Sequence, residues 1–204
     1  MEGALLEAWS RGDTEAGRRL YATHFDAVYR FFRTKVDGDV SDLVQETFVA
    51  ALQAAARFEG RSSVKTFLLG VARHHLFDHY RSKQRALTHD MSISAVNDTA
   101  PRASELVLRK SEQRLVLEAL RRLSVDDQTL LELFYWEELS GSELAQIFEV
   151  PEGTIRSRLR RAHERLRSAV ESLATSSEQL SSTMSNLEGW AASLRNELLS
   201  ASST

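Results

Sequence analysis

Apolar residues recur at helical spacing along most of this chain, and prolines interrupt the pattern at only two positions, Pro101 and Pro151. The strict alternation of apolar and polar residues that favours strands is nearly absent. Proline and glycine most often mark the ends of helices, yet the 204 residues contain only two prolines and nine glycines. The sequence therefore predicts an all-α protein.

The periodic segments fall into two groups. Helical spacing predicts a first bundle of three helices, at about 20–36, 40–58 and 64–83. Residues 86–102 lose this spacing and collect Ser, Thr, Asn and Asp, which is typical of a linker. Four further helices are predicted beyond it, at 106–123, 125–138, about 140–148, and from 151 onward.

These boundaries predict two small helical domains joined by a flexible linker, followed by an extension. We place the first domain at 1–88, the linker at 89–105, the second domain at 106–171 and the C-terminal extension at 172–204. No cysteine occurs, which excludes disulfides and thiolate chemistry and suits a reducing compartment. No basic and apolar leader or membrane-length apolar run is present, so we expect a cytoplasmic protein.

Charge is distributed unevenly, although the formal net charge is only -3. Residues 37–46 contain four acids and no base, whereas residues 151–171 contain six arginines and three acids. Segregation of this kind predicts that one part of the chain meets a cationic partner and another part meets an anionic one.

The basic segment has the pattern of a helix-turn-helix. "SGSELAQIFEVPEGTIRSRLRRAHERLR", residues 140–167, reads as a short helix, a tight turn at 149–151 and a longer basic helix. Helical geometry gathers Ile155, Leu159, Ala162 and Leu166 on one inward stripe, which leaves the arginines on the outer side, where they can enter a major groove. The alternative is a solvated helix whose arginines pair with Glu152 and Glu164.

The stretch "VARHHLFDHYRSKQR", residues 71–85, mixes histidines, aromatic rings and cations. His75, Asp78 and His79 have a spacing that could bring side chains to one metal ion, but they are too few for a closed site, and we predict none. Aromatic residues interleaved with cations are typical of surfaces that hold unstacked bases and their backbone. We therefore favour a single-stranded DNA surface here.

The motifs together resemble the extracytoplasmic-function (ECF) group of bacterial sigma factors. The resemblance rests on "DLVQETFVAAL" (42–52), "VKTFLLGVARHHLFDHYR" (64–81) and "LFYWEELSGSELAQIFEVPEGTIRSRLRRAHERLR" (133–167), in this order. It implies a dissociable RNA polymerase subunit without catalytic residues or cofactor. Such a subunit recognises the minus-thirty-five and minus-ten promoter elements and promotes promoter opening. The implied partners are core RNA polymerase, promoter DNA and, as a further candidate, an anti-sigma factor.

The resemblance also implies roles for individual residues. The polymerase-binding helix corresponds to Asp39, Asp42, Leu43, Gln45, Glu46 and Phe48. The minus-ten surface corresponds to Arg61, Ser62, Ser63, Lys65, Phe67, Arg73, His74, Asp78 and Arg81. The reader of the minus-thirty-five element corresponds to Thr154, Arg156, Ser157, Arg158, Arg160, Arg161 and Arg165.

Two positions depart from the family pattern. Phe67 stands where the family usually has tryptophan, which keeps an aromatic plane but loses an indole donor. Ser41 interrupts a cluster that is often continuously acidic. We hypothesise that the missing carboxylate at position 41 weakens polymerase affinity, and that phosphorylation of Ser41 raises this affinity by restoring negative charge.

The C-terminal extension carries a heptad-like seam of Leu166, Val170, Leu173, Ser177, Leu180, Met184, Leu187, Ala191, Leu194 and Leu198. One interpretation is a partly frayed helix, because Ser177 and Ala191 weaken the seam. The other is an amphipathic regulatory helix that docks on one of the domains or on a partner.

Two other function classes remain open from the residues alone. A free-standing regulator would use only the helix-turn-helix and dimerise through the tail, with no need of the acidic segment. A metal-dependent hydrolase using His75, Asp78 and His79 would need stoichiometric metal.

Overall fold

The computed structural model describes residues 2–89, 111–187 and 189, and within these ranges the chain forms helices and turns without a strand. The all-α prediction is confirmed. Contacts divide the chain into two units, Met1–Ala100 and Pro101–Thr204. The predicted linker 89–105 lies outside the described residues except for His89, and so do residues 106–110 at the predicted start of the second domain.

The first unit is a bundle built on three mutually packed helices. Its elements are α1 (Glu2–Ser10), α2 (Thr14–Arg33), α3 (Ser41–Ala54), a 3₁₀ turn (Ala55–Arg57) and α4 (Val64–His89). Helices α2, α3 and α4 each contact the other two. They bury an apolar core that includes Leu20, Val28, Phe32, Val44, Ala51, Leu68, Leu69 and Leu76. The three predicted helices are therefore present.

Helix α1 was not predicted from the sequence. It packs on α2 by burying Leu6, which is 1% exposed, and by laying the Trp9 ring against Gly17. A Cβ atom at Gly17 would overlap the Trp9 ring, so this close approach requires glycine. Asp13 then starts α2, because its Oδ1 accepts hydrogen bonds from the backbone N–H groups two and three residues on.

The second unit contains α5 (Ser111–Arg121), α6 (Val125–Tyr135), α7 (Gly141–Phe148), α8 (Glu152–Leu173) and α9 (Ser177–Ser185). Helix α8 packs against α5, α6 and α7. Ile155, Ala162 and Leu166 are fully buried along α8, and Leu159 is half-buried against the same core. The predicted inward stripe is therefore confirmed, and it fixes the opposite side of α8 as the exposed one.

Helices α7 and α8 form the predicted helix-turn-helix. Ser140 and Glu143 cap α7 reciprocally: Ser140 Oγ accepts from the Glu143 N–H at 3.3 Å, and Glu143 Oε2 accepts from the Ser140 N–H at 2.9 Å. Helix α7 ends at Glu149, which adopts the left-handed conformation with φ of 54°. Pro151 then precedes the first turn of α8.

The tail differs from the predicted continuous seam. Helix α8 ends at Leu173, because Ala174 is extended, and the side chain of Ser176 begins a new helix by accepting a hydrogen bond from the Gln179 N–H at 3.1 Å. The seam residue Ser177 is exposed, whereas Leu180, Met184 and Leu187 pack on the core of the second unit. Its last three positions, 191, 194 and 198, lie outside the described residues.

Candidate functional site

Helix α3 and the residues just before it expose most of the side chains assigned to polymerase binding. Asp39, Asp42, Gln45 and Glu46 are exposed, and Leu43 is half-buried. Phe48 is different, because it is only 4% exposed and its ring lies 4.7 Å from that of Tyr21. Phe48 therefore supports α3 from the core and does not belong to the exposed surface.

The start of α3 is organised by Asp39. Its Oδ1 accepts hydrogen bonds from Ser41 Oγ at 2.6 Å and from the Ser41 N–H at 2.9 Å. These two bonds, the side-chain one first, lower the pKa of the Asp39 carboxyl group from its usual value. Asp39 is thus held ionised at the N-terminus of α3, where Val40 supplies no side-chain cap.

A shallow groove continues the acidic face of α3 onto α4. It is lined by Asp42, Gln45, Glu46, Val49, Ala50, Gln53 and, from α4, His75. The Glu46 Oε2 atom lies 3.9 Å from His75 Nδ1. Val49 is 48% exposed within this polar lining. Sequence reasoning missed Val49, Gln53 and His75, although positions 42, 46, 49 and 53 have the spacing of one helix face.

Helix α4 brings only some of the predicted minus-ten residues to one side. At about 100° per residue, Phe67, His74, Asp78 and Arg81 fall within about 60° of one another. His74, Asp78 and Arg81 are exposed, and Arg81 Nη1 pairs with Asp78 Oδ1 at 3.2 Å. This exposed α4 face, defined by these four residues, is the candidate surface for single-stranded DNA.

Lys65 and Arg73 lie off the exposed α4 face. Lys65 falls almost opposite Phe67 on the helix, and its charge contributes to lowering the pKa of His24 on α2. The Arg73 guanidinium carbon lies 4.8 Å from the centre of the Phe77 ring, in a cation–π contact. The structure therefore separates these two cations from the set with which they were predicted.

The loop before α4 is short and ordered by local bonds. Gly60 has a φ of 70°, and Glu59 and Arg61 pair across it at 2.5 Å with both side chains mostly exposed. Ser63 Oγ accepts a hydrogen bond from the Thr66 N–H at 3.0 Å, so Ser63 caps α4. Phe67 sits on the first turn with its ring 5.2 Å from that of Phe58. The loop therefore adjoins the pair of aromatic rings formed by Phe58 and Phe67.

The histidines considered for a metal site have other neighbours. His75 faces Glu46 across the groove, and the His79 ring packs 5.8 Å from that of Tyr80. In the described part of the chain, no three His, Cys, Asp or Glu residues form a group that could hold a metal ion.

Helix α8 presents its arginines on the side away from the core. Arg156, Ser157, Arg160, Arg161 and Arg165 are exposed, and Thr154 and Arg158 are half-buried. Two of the intrahelical pairs that the solvated alternative requires are present, Arg156–Glu152 at 3.3 Å and Arg160–Glu164 at 3.5 Å. Pairs of this exposure are weak and leave the guanidinium groups accessible.

Arg165 is in a different environment from the other arginines. Its Nη1 atom lies 2.6 Å from Oδ2 of Asp127 on α6, whose side chain is only 13% exposed. Asp127 also accepts a hydrogen bond from Ser124 Oγ at 2.9 Å, at the N-cap of α6. The ion pair therefore fixes α8 against α6, and this contact between Asp127 and Arg165 was not predicted from the sequence.

A second polar bridge joins the same helices. His163 Nδ1 lies 2.7 Å from the carbonyl oxygen of Leu159, and His163 Nε2 lies 2.6 Å from the Tyr135 hydroxyl. Because a carbonyl oxygen only accepts, Nδ1 carries a proton and donates, and in the neutral ring Nε2 accepts from Tyr135. This bridge between Tyr135 and His163 helps to orient α8 on α6. It was not predicted from the sequence.

Comparison with known proteins identifies both units. The model of Sigma-70 region 2 matches residues 20–86, and that of Sigma-70, region 4 matches residues 113–166. The ECF RNA polymerase sigma factor SigX of Bacillus subtilis is 30% identical over 154 residues, covering 72% of this chain and 79% of the relative. The ECF RNA polymerase sigma factor SigC of Mycobacterium tuberculosis is 34% identical over 166 residues, which cover 79% of this chain and 86% of SigC.

Solved structures share the fold. The sigma factor RpoE of Bartonella quintana, solved with the anti-sigma factor NepR, gives a TM-score of 0.59 at 24% identity and covers 76% of this chain and 96% of its own. CnrH, solved with the cytosolic domain of CnrY, gives a TM-score of 0.62 at 20% identity. The match covers 85% of this chain and 99% of the CnrH chain.

No helix in the described ranges has the length and apolarity needed to cross a membrane. The two family matches lie on the two units that carry the acidic groove and the arginine helix, in the same order along the chain. The chain therefore belongs to the ECF group of sigma-70 RNA polymerase sigma factors, and it functions in promoter recognition and transcription initiation.

Proposed function

We propose that three surfaces divide the work of this sigma factor. The acidic groove of α3 and α4 binds core polymerase, the exposed α4 face and its loop hold the opened minus-ten strand, and α8 reads the minus-thirty-five element. The observation that carries the proposal is the separation of charge: the exposed acids of residues 37–46 and the exposed arginines of α8 belong to different units, each matched to a different sigma region.

In the polymerase surface, Asp39, Asp42, Gln45 and Glu46 make direct contacts and Leu43 supports them at the edge. Phe48 has a supporting role: its ring packs against that of Tyr21 on α2 and so holds α3 in place. Acids on an exposed helix suit a basic partner surface, and Val49 supplies an apolar centre within the polar rim.

In the minus-ten surface, Phe67 offers the stacking plane while Arg61, Ser62, Ser63, His74 and Arg81 supply polar contacts around it. Asp78 restrains Arg81 through their ion pair. We assign Lys65 and Arg73 a supporting role, because both lie off the exposed α4 face.

In the minus-thirty-five surface, Arg156, Ser157, Arg160 and Arg161 lie on the exposed side of α8, where they are placed to reach base edges and phosphates. Thr154 and Arg158 flank this side at half exposure. Arg165 belongs to the same helix but forms an ion pair with Asp127 on α6. We therefore propose that Arg165 positions α8 and does not read bases.

We further infer that the protein acts in the cytoplasm together with polymerase, catalyses no reaction of its own and needs no cofactor. Polymerase performs the chemistry. The neighbour RpoE was solved with the anti-sigma factor NepR, which supports an anti-sigma factor as a further partner of this chain.

The test is reconstitution of the chain with bacterial core polymerase, followed by sequencing of the transcripts made from genomic DNA of its own source. We expect defined start sites that share upstream elements at two fixed distances. Asp42→Lys with Glu46→Lys should abolish association with core polymerase, because both charges lie on the exposed acidic face.

The matched control is Glu7→Lys with Asp26→Lys, two exposed acids elsewhere in the first unit. This variant should associate as the original chain does. Equal loss in both variants, or association without start-site selection, would contradict the proposal.

Ser41 is proposed to tune polymerase affinity. It is exposed and hydrogen-bonded to the Asp39 carboxylate, so a negative charge at position 41 adds to the acidic face at the start of α3. Ser41→Glu should bind core polymerase more tightly than Ser41→Ala in a titration followed by fluorescence anisotropy. Identical affinities would remove this idea.

A further inference from the structure

Helix α4 contains a glycine that its backbone conformation does not require. Gly70 lies in the second turn of this helix, which spans Val64–His89. Gly12, Gly38 and Gly60 have a positive φ, whereas Gly70 keeps the ordinary helical conformation. Glycine inside a helix lowers stability relative to alanine, because it has more conformational freedom to lose on folding. Gly70 therefore needs a reason other than backbone geometry.

Packing within the first unit does not supply that reason. Gly17 on α2 shows what such a reason looks like, because a Cβ atom there would overlap the Trp9 ring. A Cβ atom at Gly70 would meet no side chain of a described residue within 4 Å. Gly70 is also half-buried rather than enclosed in the core. The space beside it is therefore open to an outside group.

Gly70 lies between residues of the minus-ten surface. At about 100° per residue, it falls about 60° from Phe67 and about 40° from His74 around α4. Residues three and four positions apart are neighbours on a helix surface, so Phe67, Arg73 and His74 all border Gly70. The missing side chain leaves a notch, here called the Gly70 notch, whose floor is the α4 backbone and whose borders are these three residues.

The borders of the Gly70 notch have the chemistry that binds an unstacked base. Phe67 offers an aromatic plane, and its ring packs 5.2 Å from that of Phe58. The Arg73 guanidinium and the His74 imidazole carry N–H groups that can donate to the edge of a base or to a phosphate. A flat base can approach a helix backbone closely only where no Cβ atom intervenes. The notch therefore suits single-stranded DNA.

We propose that Gly70 is a DNA-contact residue of the minus-ten surface. Because it has no side chain, one unstacked base of the opened strand lies against the α4 backbone beside the Phe67 ring, with Arg73 and His74 at its edge. This inference rests on the proposed minus-ten role of the exposed α4 face. It adds that the depth to which the strand approaches α4 is set by the absence of a side chain at position 70, at the expense of helix stability.

The experiment uses two substitutions of increasing size in the full chain, Gly70→Ala and Gly70→Leu. The matched control is Thr23→Ala, which also raises helix propensity but at an exposed position on α2. Each protein is assembled with bacterial core polymerase. The complex is titrated against a fluorescent single-stranded oligonucleotide that carries the minus-ten element found by transcript sequencing, and binding is followed by anisotropy.

Gly70→Leu should bind the oligonucleotide at least about tenfold more weakly than the original chain, because a filled notch removes most of the stacking contact. Gly70→Ala should fall between the two. Gly70→Ala should also raise the melting temperature of the full chain by about 4 °C, because alanine favours the helix. Thr23→Ala should raise the melting temperature and leave DNA binding unchanged. Higher stability with weaker binding distinguishes a DNA contact from a structural role.

Two results would overturn the proposal. One is oligonucleotide binding by Gly70→Ala and Gly70→Leu as tight as that of the original chain. The other is a lower melting temperature for Gly70→Ala, because glycine would then serve the fold.

Phe67→Ala in the same titration separates this inference from the proposed function. If Phe67→Ala weakens binding and the Gly70 variants do not, the Gly70 notch is wrong and the minus-ten surface stands. If none of the three variants changes binding, the minus-ten surface itself is wrong.

Discussion

His24 is a titratable group held inside the first unit. It is 6% exposed on α2, and its Nε2 atom lies 3.3 Å from the Glu2 carboxylate. Burial lowers the pKa of His24 from its ordinary value of about 6.5, and the nearby Lys65 charge acts in the same direction, while Glu2 opposes both. The neutral imidazole is thus favoured in the folded chain.

The pH dependence of stability follows from this shift. As the pH falls below about 6.5, the unfolded chain takes up a proton at His24 before the folded chain does, so the free energy of unfolding decreases. Urea denaturation of the original chain should show lower stability at about pH 5.5 than at about pH 7. His24→Gln should lose less stability over the same interval, and an identical decrease in both proteins would contradict this role.

Phe67 is the aromatic plane of the proposed minus-ten surface, and its ring packs against that of Phe58. Phe67→Ala should reduce promoter opening, because stacking of one base contributes about 1 to 3 kcal/mol. Phe67→Trp should match or exceed the original chain, since it keeps the plane and adds a donor. Permanganate reactivity of the minus-ten thymines measures opening, and equal reactivity for the alanine and tryptophan variants would exclude stacking.

Individual residues show where sequence reasoning succeeds and where it stops. Phe48 follows the buried Val44 by four positions and precedes the buried Ala51 by three, so its burial was available from the helical spacing. The role of Arg165 was not available, because its partner Asp127 is 38 positions away in the sequence. Periodicity reports the side of a helix, not which residue from another helix meets it.

At the scale of elements, the turn between α7 and α8 stores conformational strain at a single residue. Glu149 adopts a positive φ, which costs about 1 to 2 kcal/mol for a residue with a Cβ. Glu149→Gly should therefore be more stable than Glu149→Ala by about 1 kcal/mol, because both remove the side-chain contacts and only glycine removes the strain. Thermal denaturation of the two variants provides the comparison, and equal stability would refute it.

Most helices were predictable because each carries its own apolar stripe. Helix α1 was not, since its packing depends on Trp9 meeting Gly17 on a different helix. The break between α8 and α9 was missed for another reason: the heptad spacing continues through 174–176, so periodicity alone could not place it. The signal that could have located the break is Ser176, a residue type that favours the N-cap of a helix.

At the scale of the whole molecule, the net charge of -3 hides two surfaces of opposite charge, the acids of α3 and the arginines of α8. Acids on α3 and arginines on α8 are separated by about a hundred positions in sequence and lie in different units. A chain of this kind can associate with a basic protein surface and with DNA at once, because each partner meets a field of the opposite sign.

Salt dependence tests this separation. In the polymerase-bound state, Arg160→Ala with Arg161→Ala should reduce the slope of log affinity for promoter DNA against log salt by between about 1 and 2, as phosphate contacts are lost. Arg165→Ala should leave the slope almost unchanged, because Asp127 already neutralises that charge. A similar reduction for Arg165→Ala would show that Arg165 contacts phosphate directly.

The turn from Glu149 to Pro151 also determines which side of α8 faces outward. The Ser140 cap fixes where α7 begins, and the left-handed residue fixes where it ends. One residue inserted inside the start of α8 would rotate everything after it by about 100°, directing leucines at the duplex and arginines into the core. Substitutions on the exposed side of α8 can therefore change what the helix contacts while its direction is kept, whereas an insertion at this turn changes the direction itself.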